Sequence, residues 1–486
     1  MSGRYQLYLT TAANPANSNH KLLCYHTRPL AFCSIHMPSQ SSSQSARDSL
    51  GRRLFSMTWP MLAGVVALMS FQLVDSVFVG MLGTEPLAAM GFTMPINQLM
   101  IGIQIGTGIA ATALISRALG AGKADYAKRL SALVLITGSG LMALLALSVY
   151  LLKQPILHAL GAGEELFIHT DSYWLPWLVS SWSHAFLYFG NSLCRANGNT
   201  RLPGLMMVVT SLLNMALDPI FIFVFGWGLP GAAFATIISC TIGSAVIYSR
   251  VIRHHWLAFD LQQIKVLPAL GSIAKISLPA MLSQLMPGMA ALMATRIVAG
   301  YGATAIAAWA LGTRLETFSI VIILALTMSM PPMLGRMLGA RDLTQVHKLI
   351  WLAIRFILVL QLAIAIFWLL LRPLVIGIVA QEPATAEYLA SYMLIVPVSY
   401  SMLGVCILLV SSCNALGMPM RALVTSAVRL FLCYLPCVAV GAWLGDMTGL
   451  YLGVLAGNCL AGLFSWQLYR QGFKKLQAGL QPERTG

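Results

Sequence analysis

The sequence predicts an all-α membrane protein with twelve transmembrane helices in two pseudo-symmetric six-helix bundles. Three observations predict it. Of 486 residues, 58% are hydrophobic and only 9% charged, whereas a soluble domain carries about a quarter charged residues. Apolar runs long enough to cross a bilayer, about 20 residues each, recur along the whole chain. The chain also matches itself at one unchanged offset.

The runs cover roughly 57–82, 87–115, 131–152, 166–194, 203–225, 230–252, 268–300, 305–333, 349–371, 386–412, 421–444 and 449–470. Each is continuously apolar, which excludes the alternating pattern of barrel strands and leaves helices to satisfy the backbone in lipid. The connecting segments sort by charge. Arg117, Lys123, Lys128, Arg129, Arg195, Arg201, Arg250, Arg253, Lys265, Lys275, Arg336, Arg341 and Lys348 fall on one side. Glu85, Glu164, Glu165, Glu382, Glu387 and Asp446 fall on the other, with Lys153 and Arg372 at its borders. The positive-inside rule therefore expects a multi-pass protein with both termini cytoplasmic, in a bacterial inner membrane. It also accounts for most of the net charge of +15, so the lipid bilayer is the expected partner and nucleic acid is not.

The expected organisation is a cytoplasmic, disordered N-terminal tail over 1–56, a six-helix lobe over 57–252, and a cytoplasmic linker over 253–267. A second six-helix lobe over 268–470 and a cytoplasmic tail over 471–486 follow. The serine-rich start holds no run long enough to span and no signal-peptide core, and Met37 would open the same protein more economically. The nine cysteines show no C-x-x-C pairs and read as small core residues.

The self-match lies at 219 residues. It places Pro60 on Pro279, Gly83 on Gly302, "SRALGA" (116–121) on "GRMLGA" (335–340), Tyr173 on Tyr392, and "CRANG" (194–198) on "CNALG" (413–417). Six helices per repeat is an even number, so both halves enter from the same face, related by an axis along the membrane normal. A cavity between two rigid bundles can then open to one face and the other in turn.

Of fifteen acidic residues only Asp75, Asp218 and Glu316 lie well inside predicted spans. A charge there costs about 2.5–3.5 kcal/mol on insertion scales. Glu316 is expected to form a structural ion pair, because Arg314 lies two residues away and Arg296 is in the preceding helix. Asp75 and Asp218 have no base on their own helices. Asn214 shares the Asp218 face at i, i+4, and Asn191, Tyr173 and Thr236 lie on adjoining spans. Two desolvated carboxylates without a cation can exchange a proton near physiological pH or hold a sodium ion through oxygen ligands, with Asp75, Asp218 and Asn214 as its ligands. No other metal or cofactor is expected. Pro60 removes a backbone hydrogen bond and bends the first span. The Gly102-x-x-x-Gly106 spacing reads as helix packing.

"FQLVDSVFVGMLGTEPLAAMG" (71–91), "ALGTRLETFS" (310–319), the Asn214-x-x-x-Asp218 pair and the doubled layout resemble the multidrug and toxic compound extrusion (MATE) transporters, in particular their DinF-like prokaryotic branch. The resemblance spans about 57–470. It implies a V-shaped pair of lobes exporting cationic, often aromatic compounds in exchange for protons or sodium, working as a monomer. It also implies that Asp75, Tyr173, Asn191, Asn214, Asp218 and Thr236 form a coupling-ion site and that Pro60 is the bending proline. The sodium-coupled NorM branch resembles itself in acids on the seventh and tenth spans. This chain has none there, so coupling is expected in the N-terminal lobe.

A lipid-linked precursor flippase of the same superfamily is the competing transport reading, and it would favour intramembrane arginines over acids. An enzyme is not expected: H-E-x-x-H, G-x-S-x-G and the ATP-binding G-x-x-x-x-G-K are all absent. The substrate itself is not encoded legibly, because a cavity lined by Met, Phe and small residues suits many amphipathic cations.

Overall fold

A computed structural model describes residues 43–159, 164–379 and 382–480. The segment before residue 43, with Met37, and the chain after residue 480 lie outside the described residues, as do 160–163 and 380–381 within the acidic-side connections.

The helices run α1 (Ser43–Gly80), α2 (Thr84–Gly120), α3 (Ala124–Leu151), the short α4 (Lys153–Ala159), α5 (Glu164–Ala196), α6 (Arg201–Pro219), α7 (Leu229–Arg253), α8 (Val266–Ala299), α9 (Ala303–Ser319), α10 (Val321–Gly339), α11 (Leu343–Val379), α12 (Pro383–Ala415), α13 (Pro419–Ala427), α14 (Leu435–Leu444) and α15 (Asp446–Leu480). No strand occurs among the described residues. Eleven stretches are long and apolar enough to span a membrane, with α9 and α10 together making one of them. The remaining span is α5, whose 33 residues carry a heavy polar and aromatic load. π-helical turns at Ile220–Val224 and Val428–Tyr434 interrupt the fifth and eleventh spans.

The helices overshoot the apolar runs, and the first and last do so most. Residues 43–56 were expected as tail but are helical, because Leu50, Leu54 and Met57 recur at i, i+4, i+7 and bury one stripe. That stripe packs into a cluster with Leu349, Ile350, Leu408 and Leu409 of the second half. The C-terminal extension to Leu480 buries Tyr469 and Phe473 in the same cluster.

An exchange joins the halves. The 219-residue mates of Leu50, Leu54 and Met57 are Ala269, Ile273 and Ile276 at the start of α8, and these are buried in the first half, among Ile115, Leu130 and Leu193. Each half therefore lends the first turns of its first helix to the core of the other. Thr58 of α1 adds a hydrogen bond to Ser329 of α10 at 2.7 Å.

Between these exchanged ends, α2 packs on α8 and α10. The Gly102-x-x-x-Gly106 pair faces Leu285 and Met281 of α8, and a Cβ at Gly106 would sit 2.9 Å from the Ser277 carbonyl. The basic-side ends of α2 and α10 meet backbone to backbone. A Cβ at Gly120 would overlap the Arg336 carbonyl, one at Gly339 the Arg117 carbonyl, and one at Gly335 the Ser116 hydroxyl. Gly339 is the mate of Gly120, Arg336 of Arg117 and Gly335 of Ser116, so the seam obeys the two-fold that relates the halves.

Pro60 lies inside a continuous α1. Its carbonyl occupies the space that a side chain at Gly204 of α6 would need, and Gly64 one turn later presses on Met207 of the same helix. The first span is thus tied closely to the fifth at its proline and one turn beyond it.

Candidate functional site

In the first half, α6 runs from the basic face, so Asn214 and Asp218 lie toward its far end, one turn apart, both buried. The Asn214 amide bridges two groups. One end lies 2.8 and 2.9 Å from the Asp218 carboxylate oxygens, and the other 2.9 Å from Thr236 Oγ1 on α7. With Asp218 ionised, the amide NH2 donates to the carboxylate while its oxygen accepts from the Thr236 hydroxyl. The reverse orientation has the NH2 donating to Thr236 Oγ1 at 2.9 Å, and the Thr236 hydroxyl then donates to the Ala232 carbonyl at 3.1 Å. That second arrangement suits a protonated Asp218, whose O–H can donate to the amide oxygen.

Asp75 stands within electrostatic reach of Asp218 from α1 and of Tyr173 from α5. Thr93 of α2 faces the Tyr173 hydroxyl, bringing a fifth helix to the group. Sequence reasoning passed over Thr93, since one threonine in an apolar helix usually bonds its own backbone; Thr93 does so too, donating to the Met90 carbonyl at 2.7 Å. Beyond the pair, Phe78 of α1 makes an edge contact with Phe223 in the π turn after Asp218, ring centres 6.1 Å apart.

Asn191 does not join this group. Eighteen residues separate it from Tyr173 on α5, about 27 Å of helix, so the two lie at different depths of the bundle. It is buried, and its carbonyl oxygen has no hydrogen-bond partner among the described residues. One span-embedded pair that sequence reasoning overlooked lies nearby in the fold: Gln104 Nε2 of α2 approaches His184 Nδ1 of α5 at 3.4 Å.

The expected Arg314–Glu316 pair is not formed. Positions i and i+2 point to different sides of a helix. Arg314 is exposed, and the ion pairs within 4 Å among the described residues are Lys128–Asp125 and Lys153–Asp171. Glu316 instead faces Tyr392 and the Arg429 guanidinium, with Tyr400 and Tyr434 around it. Arg429 and Tyr434 sit in the second π turn, where the widened helix re-aims side chains, as such turns do at many functional sites. Tyr392 is the repeat mate of Tyr173, so one tyrosine faces a carboxylate in each half, although the carboxylates come from different helices. Glu316→Gln, which leaves Arg429 without its charge partner, should cost about 1–3 kcal/mol of stability and leave transport per folded molecule nearly unchanged. Thermal denaturation in detergent checks this, and Glu316→Gln/Arg429→Gln should recover part of the loss.

A sequence profile for MatE matches residues 60–220 and again residues 279–440. The chain belongs to the MatE family. The two matched segments begin 219 residues apart, the same offset the sequence shows. The FAD transporter of Shewanella oneidensis is 31% identical over 427 residues, covering 86% of this chain and 94% of that protein. The multidrug export protein MepA of Staphylococcus saprophyticus is 25% identical over 421 residues, covering 86% and 93%. Among solved structures, the Vibrio cholerae MATE transporter VcmN in its bent form is 49% identical, with a TM-score of 0.88, covering 90% of this chain and all of that one. This MATE protein is therefore a multi-pass membrane transporter and not an enzyme, with twelve membrane-spanning helices in two six-helix bundles.

Proposed function

We propose that this MATE transporter is an antiporter exporting amphipathic, cationic small molecules across the bacterial cytoplasmic membrane in exchange for inward-moving protons. The observation that carries the reading is the Asn214 amide held between Asp218 and Thr236. Both of its orientations complete a hydrogen-bond set, one for each protonation state of Asp218. A proton arriving at Asp218 turns the amide, and the Thr236 hydroxyl moves from Asn214 to the Ala232 carbonyl, so the charge state is passed from α6 to α7. Loss of charge at Asp218 and Asp75 also removes their mutual repulsion, which frees α1 to shift about Pro60 against α6, where Gly64, Gly204 and the Phe78–Phe223 contact couple the two helices. The basic face is the cytoplasmic one, with both termini there, and one chain suffices. Sodium at the Asp75, Asp218 and Asn214 oxygens is the rival coupling ion.

A second substrate reading comes from the Shewanella relative: flavin adenine dinucleotide, an aromatic anion for which the Arg429 guanidinium in the eleventh span offers an intramembrane positive charge. In proteoliposomes loaded with a fluorescent cationic dye, an inward-directed proton gradient without sodium should drive dye efflux. Efflux that requires sodium and ignores the proton gradient would refute proton coupling. Efflux of loaded FAD, but not of the dye, would select the second substrate reading.

A further inference from the structure

On the basic face two arginines reach across the seam in opposite directions. Arg117, near the end of α2, extends to the end of α12, where its Nη2 donates to the Ala415 carbonyl at 3.4 Å. Arg336, near the end of α10, extends to the end of α5, where its Nη2 donates to the Asn197 carbonyl. The arginines are mates at the 219-residue offset, and so are the helix ends they grip, "CRANG" and "CNALG". Each of those ends turns out through a glycine in the left-handed region, Gly198 at φ 84° and Gly417 at φ 74°, which lets the terminal carbonyls face outward. The same glycines leave the guanidinium its place. A Cβ at Gly198 would lie 3.1 Å from Arg336 Nη2, and one at Gly417 would overlap Arg117 Nη2.

Neither arginine has a carboxylate within 4 Å among the described residues. Each is held by backbone carbonyls at the negative end of a helix, and the Nε of each is buried without a partner. Such a contact ties two helix ends across the seam and can be exchanged for water without stranding a buried acid. Apart from the linker contacts of Arg129 with Gln263 and of the Ala258 amide with the Lys128 carbonyl, the hydrogen bonds seen to cross between the halves among the described residues are these two and Thr58–Ser329.

We infer that Arg117 and Arg336 form a reciprocal latch that holds the bundles shut on the basic face, and that the transport cycle breaks it to admit substrate there. The inference rests on the preceding reading only for calling that face cytoplasmic.

Spin labels at Lys123→Cys and Thr344→Cys, both at exposed positions of the basic face, test it in a background whose label-reactive native cysteines are replaced. The parent protein should give one short inter-label distance. Arg117→Ala/Arg336→Ala should move at least half of the molecules to a longer distance, with each single substitution between the two. A parent-like distribution in the double variant would overturn the latch. A second arm keeps both arginines: a cleavable cross-linker joining the same two cysteines should stop transport, and cleaving it should restore transport. Undiminished transport by fully cross-linked protein would also overturn it. Both arms read the seam whichever ion drives transport. Labelling of the two cysteines by an impermeant reagent in intact cells would refute the cytoplasmic placement alone.

Discussion

Asp75→Asn and Asp218→Asn should each reduce gradient-driven efflux to the level of empty liposomes, while the protein still reaches the membrane in normal amount. The amide replaces the carboxylate atom for atom, so the packing around Asp218, fully buried, is preserved. An asparagine at 218 can still donate to or accept from Asn214, so no buried polar group is stranded. What disappears is the exchangeable proton and the change of charge that turns the Asn214 amide. At position 75 the loss is the second charge, and Asp218 then has no carboxylate to repel it, so proton arrival no longer alters the force between α1 and α6. Dye efflux and proton uptake measured on the same vesicles check both. Full efflux by the Asp75→Asn protein would remove Asp75 from the coupling site, and retained proton uptake by Asp218→Asn would do the same for Asp218.

Gly335→Leu should abolish accumulation of folded protein. A Cβ at that position already overlaps the Ser116 hydroxyl, and Ser116 cannot retreat, because it is fully buried and donates to the Thr112 carbonyl at 2.6 Å. Overpacking of a well-filled core costs about 1–3 kcal/mol when side chains can adjust; here the next yielding element is a whole helix, so the cost is larger. Fluorescence-detected size-exclusion chromatography should show aggregate in place of a monodisperse peak. Gly335→Ala should be partly rescued by Ser116→Gly, which vacates the space the new methyl needs. A monodisperse Gly335→Leu protein with parental thermal stability would show that the α2–α10 seam is looser than the distances indicate.

Much of this architecture was legible because hydropathy reports how thick the bilayer is and the repeat reports what matches what. Neither reports what touches what. The offset aligned Arg117 with Arg336 and "CRANG" with "CNALG", yet a match between like positions says nothing about each arginine crossing to the other half's helix end. The first helical turns were missed because a window tuned to lipid reads Leu50, Leu54 and Met57 as too sparse among charges, although their spacing buries them in protein. Glu316 was paired with Arg314 by closeness in sequence, when helical geometry sends i and i+2 apart and the guanidinium it faces, Arg429, is on a distant helix. Asn214 and Asp218 were placed side by side for the converse reason, that i and i+4 share a face, and the two side chains do meet. Thr236 and Asn191 were both named as polar groups on adjoining spans, which says nothing of depth; Thr236 meets Asn214, and Asn191 does not reach the site.

The exchanged first turns and the mirrored seam have a consequence for how such a chain arises. Contacts in which residue i meets its own mate, or in which i meets j while their mates meet in turn, are the signature of a symmetric dimer, and here both kinds lie inside a single polypeptide: Ser116 on Gly335, and Gly120 on Arg336 with Gly339 on Arg117. In a dimer of identical halves every change inside a bundle is made twice, so an acid pair in one subunit brings a second pair in the other. Fusing the halves lifts that constraint. The shared surface kept its two-fold character, since a change on one side must still fit the other, while Asp75 and Asp218 have as mates Ala294 and Cys437. The fused chain can therefore carry an acid pair in one half alone and leave the matching positions of the other free to diverge.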